Sequence, residues 1–139
     1  MRDIDLIVIH HSASGLHTTV EDIDKWHRDR GWSQIGYHRV IESDGTVHDG
    51  RPVQIVGIHA KGSNQSSIGI CVVGNNSKDT EKWTHEQEEA LEKVVCYFID
   101  LYPNAKVMGH RDTPRAATEC PGIDVAEWLE QRGIDGGQV

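Results

Sequence analysis

Apolar residues cluster in short runs that have the pattern of strands covered on both faces. Residues 4–9 and 68–73 are nearly continuous apolar segments rich in isoleucine and valine, and residues 106–108 form a shorter one. Such runs are typical of inner strands in a sheet. Residues 35–42 and 46–49 flank an Asp-Gly pair, which is the strongest short-range signal of a β-hairpin. We therefore predict two buried strands, a further short strand and one antiparallel pair.

Three helices are predicted from capping residues followed by apolar residues at helical spacing. Thr19 precedes an acidic first turn, and Gly31 ends the same helix. Thr84 and Gln87 form a capping box at the start of the longest helix. Asp124 caps a short final helix.

The order of these elements predicts an α/β fold, a single domain with a central mixed β-sheet flanked by about three α-helices. We place this domain at residues 1–130 and expect residues 131–139, which are polar and glycine-rich, to be a flexible C-terminal tail. Ligands bind at strand ends in such sheets, so His10, Tyr37, His59 and the loop at His110 are expected around one pocket.

Composition excludes several classes of protein. The 139 residues carry a formal net charge of −8, which argues against nucleic-acid binding because that function needs a basic surface. No apolar run approaches the roughly 18 residues of a membrane span, and no secretion signal is visible. We expect no membrane insertion, and we expect the protein to be cytoplasmic in the cell that produces it.

The three cysteines are too few and too irregular to form a disulfide framework. Cys71 and Cys96 lie in apolar segments and are predicted to be core residues. Cys120 lies in a polar loop and is a candidate for chemistry, because a lone cysteine with distant histidines is a common catalytic or metal-binding pattern.

His110 and Cys120 are predicted to bind a metal ion, since a catalytic zinc site uses three protein ligands and leaves the fourth position to water. The third ligand is expected from His10 or His11, which end the first apolar run. Successive strand residues point to opposite faces, so only one of the two can share the site, and the pattern alone does not choose between them.

Most of the nine histidines are expected to lie outside this site, because a single histidine is more often a surface or packed residue. Those assigned to loops or helix surfaces are His17, His27, His48 and His85. A blue-copper centre is disfavoured, because no histidine or methionine follows Cys120. A Cys120 nucleophile activated by His110 is an open alternative, and it predicts the opposite response to a chelator.

Eight segments together resemble the zinc-dependent N-acetylmuramoyl-L-alanine amidases, a family that includes amidase-type phage lysozymes and peptidoglycan-recognition proteins. The similarity extends from about residue 4 to residue 128, in matching order and spacing. The segments are Val8-Ile9-His10-His11-Ser12-Ala13, Gly36-Tyr37-His38-Arg39-Val40-Ile41, Asp44-Gly45-Thr46-Val47, Gly50-Arg51, His59-Ala60-Lys61-Gly62-Ser63-Asn64, Ile68-Gly69-Ile70-Cys71-Val72-Val73-Gly74, Gly109-His110-Arg111-Asp112 and Cys120-Pro121-Gly122.

The resemblance implies a role for each matching residue. It implies that His10, His110 and Cys120 bind Zn²⁺ and that Tyr37 is the active-site tyrosine. Thr118 is the implied catalytic hydroxyl, at a position where the phage lysozymes carry a lysine and the peptidoglycan-recognition branch a hydroxyl. The residues expected to contact substrate are His11, His38, His59, Lys61 and Asn64.

The implied activity is hydrolysis of the amide between N-acetylmuramic acid and L-alanine in peptidoglycan. We expect a phage or prophage endolysin that is monomeric and acts on the cell wall after release, with peptidoglycan or muropeptide as its substrate. The alternatives are a non-catalytic peptidoglycan-recognition module and a bacterial wall-recycling amidase. Retention of all three implied metal ligands favours an enzyme over a binding module.

Overall fold

A five-stranded mixed sheet with three helices forms the domain, as predicted from the sequence. The computed structural model describes residues 2–137. The elements are β1 (Leu6–His11), α1 (Val20–Asp29), β2 (Arg39–Ile41), β3 (Val47–Asp49), β4 (Ser67–Val72), α2 (His85–Leu101), β5 (Lys106–Gly109) and α3 (Val125–Gln131), with 3₁₀ turns at Asn64–Ser66 and His110–Asp112. No helix among residues 2–137 is long and apolar enough to span a membrane.

The strand order is β3-β2-β4-β1-β5. Strand β1 is an inner strand that pairs in parallel with both β4 and the edge strand β5, while β3 is antiparallel to β2. Because β1 and β5 are parallel neighbours, their carboxyl ends meet at one edge of the sheet. His10 and His11 end β1, and His110 follows β5 directly, so the topology brings these histidines together.

The two faces of the sheet differ in what covers them. The larger core lies on the face that carries Ile7, Ile9 and Ile68, and residues of α2 and α3 pack there. Alternate residues face the other side, where a smaller cluster that includes Val40 and Cys71 packs against α1. His10 is paired in register with Cys71, so its side chain points to this second face.

Helix capping agrees with the sequence predictions. Thr19 and Thr84 each accept a hydrogen bond from the N3 backbone of their helix, and both capping boxes are complete. Asp124 caps α3 in the same way, by accepting from the backbone N–H of Glu127. The Asp-Gly turn also forms as predicted, with Gly45 at φ 88°, a conformation that glycine adopts without strain.

One predicted strand boundary and one predicted core residue need correction. The hairpin strand is shorter than predicted, because β2 begins at Arg39; the carbonyls of Gly36 and Tyr37 accept hydrogen bonds from loop residues 58 and 51 instead of from a strand. Cys96 was predicted to be a core residue, but it is exposed. The buried residues of α2 are Gln87, Leu91, Val95 and Phe98, and one step beyond Val95 turns a side chain about 100° away from them.

The C-terminal segment contacts the domain over the part that the structure describes. Gln131 is the last residue of α3, Ile134 packs against the larger core, and the backbone N–H of Val107 donates to the carbonyl of Gly136. Met1 and residues 138–139 of the predicted tail lie outside the described residues.

Candidate metal and active site

A pocket of about 600 Å³ opens on the second face of the sheet, next to the carboxyl ends of β1 and β5. Nine of the ten predicted site residues line it. They are His10, His11, Tyr37, His59, Lys61, Asn64, His110, Thr118 and Cys120. Residues that are up to 110 positions apart in the chain therefore meet at one place, as the strand-end argument predicted.

His10, His110 and Cys120 form a group with the geometry of a metal site. Their three ligand atoms lie within 4.8 Å of one another. The Cys120 Sγ atom is 3.7 Å from His10 Nδ1, close to the roughly 3.6 Å that tetrahedral zinc bonds of about 2.05 and 2.3 Å would give. Two imidazoles and a thiol at this spacing can hold a metal ion.

The two histidines of this group are neutral at pH 7 and can therefore act as ligands. Burial lowers the pKa of His10 well below 6.5, and the neighbouring His59, His110 and His11 lower it further. Burial also lowers the pKa of His110. Because a neutral imidazole offers a free nitrogen lone pair, no proton has to be removed from either ring before a metal binds.

Cys120 is unsuited to act as a free nucleophile. Burial raises the pKa of its thiol to about 12, although the backbone N–H of His11, 3.3 Å from Sγ, opposes the shift. A thiol with that pKa is protonated at neutral pH, and the thiolate is the reactive form. A metal ion would displace the proton, so the environment of Cys120 favours metal binding over the thiol-nucleophile alternative.

Tyr37 lies beside the metal-binding group with its hydroxyl protonated. Its ring centroid is 5.0 Å from that of His10. Burial raises the pKa of the phenol well above 10, and the nearby thiols of Cys71 and Cys120 raise it further. At neutral pH Tyr37 is therefore a hydrogen-bond donor, which is the form needed to stabilise a developing oxyanion.

Thr118 offers a second hydroxyl at the pocket. Its Oγ1 accepts a hydrogen bond from the backbone N–H of Cys120 at 3.1 Å, so its own proton is left to donate elsewhere. The adjacent Glu119 is exposed. No aspartate or glutamate is among the described residues that line the pocket.

Comparison with known proteins identifies the family. The family model described as N-acetylmuramoyl-L-alanine amidase matches residues 1–123. The chain belongs to this amidase family. An endolysin of Enterobacteria phage K11 is 36% identical over 127 residues, covering 88% of this chain and 83% of the relative.

Two solved structures extend the comparison. The N-acetylmuramoyl-L-alanine amidase LysC from Clostridium intestinale has a TM-score of 0.84 and 34% identity, over 96% of this chain and 88% of that one. A variant of Drosophila PGRP-LB in complex with tracheal cytotoxin has a TM-score of 0.81 and 26% identity, over 97% and 85%. The amidase fold is thus shared with both branches that the sequence resembled.

His38 is the one predicted site residue that the amidase fold does not bring to the pocket. Its side chain is fully buried. Its Nδ1 accepts from the backbone N–H of Gly69 at 3.0 Å, and its Nε2 lies 2.8 Å from the carbonyl of Ile55. Both ring nitrogens therefore serve the fold, and the prediction that His38 contacts substrate is corrected.

His27 departs from its prediction in the opposite direction. It was assigned to a helix surface, yet it is buried, lines the pocket and accepts from the backbone N–H of Gly36 at 2.9 Å. The sequence also missed Arg30, Trp32 and Ile58 as pocket residues. Trp32 directly follows the helix-ending Gly31, but nothing local in the sequence shows which way the chain turns there.

Charge is divided unevenly between the pocket and the rest of this amidase. Arg30 and Lys61 line the pocket, and the Arg30 guanidinium stacks over Trp32 at 5.5 Å from the ring centroid. The chain as a whole carries a formal charge of −8. Since no described lining residue is acidic, the pocket suits an anionic ligand even though the molecule is acidic.

The buried His38 predicts how stability depends on pH. Burial lowers the pKa of its imidazole to about 4, below the value of about 6.5 in the unfolded chain. The unfolded state therefore binds the extra proton first, and the stabilisation present above pH 6.5 is lost as pH falls towards 4. We expect the wild type to lose roughly 3 kcal/mol more than His38→Asn over this interval, at about 1.4 kcal/mol per unit.

The measurement is urea unfolding of both proteins at several pH values between 7 and 4. The asparagine can still accept from the Gly69 N–H. It loses the contact of Nε2 with the Ile55 carbonyl, which lowers stability at every pH, so the difference in slope between the two curves reports the imidazole proton. Parallel stability curves for the two proteins would show that His38 does not cause the acid sensitivity.

Proposed function

We propose that this chain is a zinc-dependent N-acetylmuramoyl-L-alanine amidase that hydrolyses the amide between the lactyl group of N-acetylmuramic acid and L-alanine. One observation carries the proposal: His10, His110 and Cys120 converge with their ligand atoms within 4.8 Å, beside two hydroxyl donors in an open pocket. Family membership and similarity to an endolysin and to the amidase LysC support it.

Zinc is the metal that this donor set favours. Two imidazoles and one thiolate are the ligands of a catalytic zinc site with an open position. When bound, Zn²⁺ lowers the pKa of water from 15.7 towards about 7 and polarises the substrate carbonyl. With a single thiolate ligand the group keeps a net positive charge, which suits a reaction that builds negative charge on the carbonyl oxygen.

The protein groups around this metal position would bind and stabilise the reacting amide. Tyr37 and Thr118 would each donate a hydrogen bond to the oxygen that becomes negatively charged when the carbonyl is attacked. Thr118 is held for this role by the backbone N–H of Cys120. Burial of Tyr37 keeps the phenol protonated, so no change of ionisation state precedes the reaction.

Lys61 and Arg30 would bind the carboxylates of the stem peptide. Exposed ion pairs contribute roughly 0.2–1 kcal/mol each, so Lys61→Glu, which reverses a charge, is expected to raise KM about three- to tenfold with little change in kcat. The effect should shrink as salt is added, because screening acts on exposed charges.

Steady-state kinetics on a soluble muropeptide at low and high ionic strength measures this effect. Arg30→Glu should behave like Lys61→Glu, whereas Lys93→Glu on the exposed side of α2 serves as the control for net charge. An unchanged KM in both Arg30→Glu and Lys61→Glu would show that these two cations do not bind the substrate.

Product analysis tests the proposed activity. Purified peptidoglycan is incubated with the protein, and new amino termini are labelled and identified. An amidase releases amino-terminal L-alanine and leaves the muramic acid lactyl group intact. Binding to peptidoglycan without new termini would identify the chain as a recognition module. The similarity to PGRP-LB, which was solved in complex with tracheal cytotoxin, is the reason for testing this alternative.

The biological setting that fits best is that of an endolysin. We propose that the protein is made in the cytoplasm and reaches the wall after the membrane is breached. Similarity to the phage K11 endolysin supports this setting. Lysis of host cells after permeabilisation of the inner membrane, and no lysis without it, is the expected result. We also expect a monomer, which sedimentation of the purified protein would test.

A further inference from the structure

We propose that His59 is a positioning residue that fixes the tautomer and orientation of the metal ligand His10, with Ser67 as the outer member of the same chain of hydrogen bonds. The inference rests on the proposed metal site. It assigns His59 a role different from the substrate contact that the family resemblance implied.

If His10 binds the metal, the hydrogen bonds run in one direction, with His10 donating to His59 and His59 donating to Ser67. His10 turns Nδ1 towards Cys120, 3.7 Å from Sγ, and its Nε2 lies 2.9 Å from His59 Nδ1. If Nδ1 binds the metal it carries no proton, so Nε2 must carry one and donates it to His59. His59 Nδ1 is then an acceptor, and its Nε2–H donates to Ser67 Oγ at 3.0 Å.

Every ring nitrogen of His10 and His59 then has either the metal or a hydrogen-bond partner. His10 uses one nitrogen for the metal and the other for His59, while His59 uses its two nitrogens for His10 and Ser67. The rings of His10 and His59 meet edge to face, with centroids 5.0 Å apart and planes at 79°. Ser67 is fully buried, which removes water as a competitor for the last hydrogen bond.

The backbone around His59 is shaped to hold its ring in this place. A Cβ atom at Gly69, in the middle of β4, would lie 2.5 Å from His59 Cγ. That distance is far inside van der Waals contact, so the strand leaves room for the imidazole by having no side chain there. Asn64 Oδ1 accepts from the backbone N–H groups of His59 and Ala60, both at 2.9 Å.

Outer hydrogen-bond partners of metal ligands have a characteristic effect. They fix the tautomer of the ligand and raise its basicity, and their loss typically costs about 10- to 100-fold in metal affinity. A residue that only contacts substrate would change KM and leave metal affinity untouched. Zinc affinity in the absence of substrate therefore separates the two roles of His59.

The test compares His59→Ala, His59→Asn and Ser67→Ala with the wild type. The zinc Kd is measured by competition with a chromophoric chelator, and the Co²⁺-substituted proteins are examined by visible absorption. His59→Ala should weaken zinc binding about 10- to 100-fold and alter the Co²⁺ spectrum. His59→Asn, which can keep an acceptor near Nδ1, should recover part of the affinity, and Ser67→Ala should show a smaller loss.

Controls separate this effect from damage to the fold. His85→Asn removes an exposed histidine of α2 and should bind zinc as the wild type does. Thermal unfolding of each metal-free variant reports folding, and Ser67→Ala removes a single oxygen, so it keeps the test valid if His59→Ala does not fold.

The result that overturns the inference is a wild-type zinc Kd in both His59→Ala and Ser67→Ala, even if KM rises. This outcome differs from failure of the proposed function, in which the wild type binds zinc tightly and yet releases no new amino termini from peptidoglycan.

Discussion

Tyr37→Phe is expected to retain bound zinc and to lose most of its turnover. The substitution removes only the phenolic oxygen and leaves the ring that packs 5.0 Å from His10. Loss of one donor to a developing oxyanion typically lowers kcat by about 10²–10³-fold. Since the hydroxyl is expected to act on the reacting carbonyl and not on the metal, zinc content measured by atomic absorption should match that of the wild type.

Tyr97→Phe is the matched control, because Tyr97 is 57% exposed on α2 and lies outside the pocket lining. It should have wild-type kcat and zinc content. Full activity of Tyr37→Phe on purified cell walls would remove Tyr37 from the mechanism. Loss of zinc together with activity would instead make it a structural support of the metal site.

Cys120→Ala is expected to abolish both zinc binding and detectable hydrolysis. Two imidazoles alone lack the third ligand that catalytic zinc sites use. The wild type should lose activity in a chelator and regain it when zinc is returned. Zinc should also raise the thermal midpoint of the wild type, since a ligand at 1,000 times its Kd stabilises by about 4 kcal/mol, and it should not raise that of the variant.

Cys96→Ala provides the control, because Cys96 is an exposed thiol far along the chain from the loop of Cys120. This variant should keep zinc and activity. Cleavage that resists chelators but is blocked by thiol alkylation would contradict the zinc mechanism and restore the thiol nucleophile. The raised pKa of Cys120 predicts slow alkylation of that residue in the metal-free protein.

Local chemistry made several features predictable from sequence. Thr19, Thr84 and Asp124 cap their helices because a cap depends on residues only three positions away. The Asp-Gly turn formed for the same reason. Nine of the residues that the resemblance to the amidases named line one pocket, since matching segments in the same order carry the topology of the fold with them.

Features that depend on distant neighbours were the ones predicted wrongly. Cys96 lies in an apolar segment, but its exposure is decided by which face of α2 meets the sheet. His27 and His38 carry the same side chain, yet one borders the pocket and the other bonds to Gly69 and Ile55 behind it. No pattern within their own segments distinguishes these environments.

The choice between His10 and His11 shows which features the sequence predicts and which need the tertiary structure. By itself the sequence predicted the strands, the caps and the position of Cys120 in a loop, and the family resemblance implied which three residues bind the metal. Strand alternation left His10 and His11 equal, because it separates the two without saying which face holds the pocket. Only the tertiary structure shows that the His10 side chain points to the face of Cys71 and comes within 3.7 Å of the Cys120 Sγ atom. The tertiary structure also brings His59 into contact with His10, in the space that the missing side chain of Gly69 leaves. No local sequence pattern predicts this contact between distant segments.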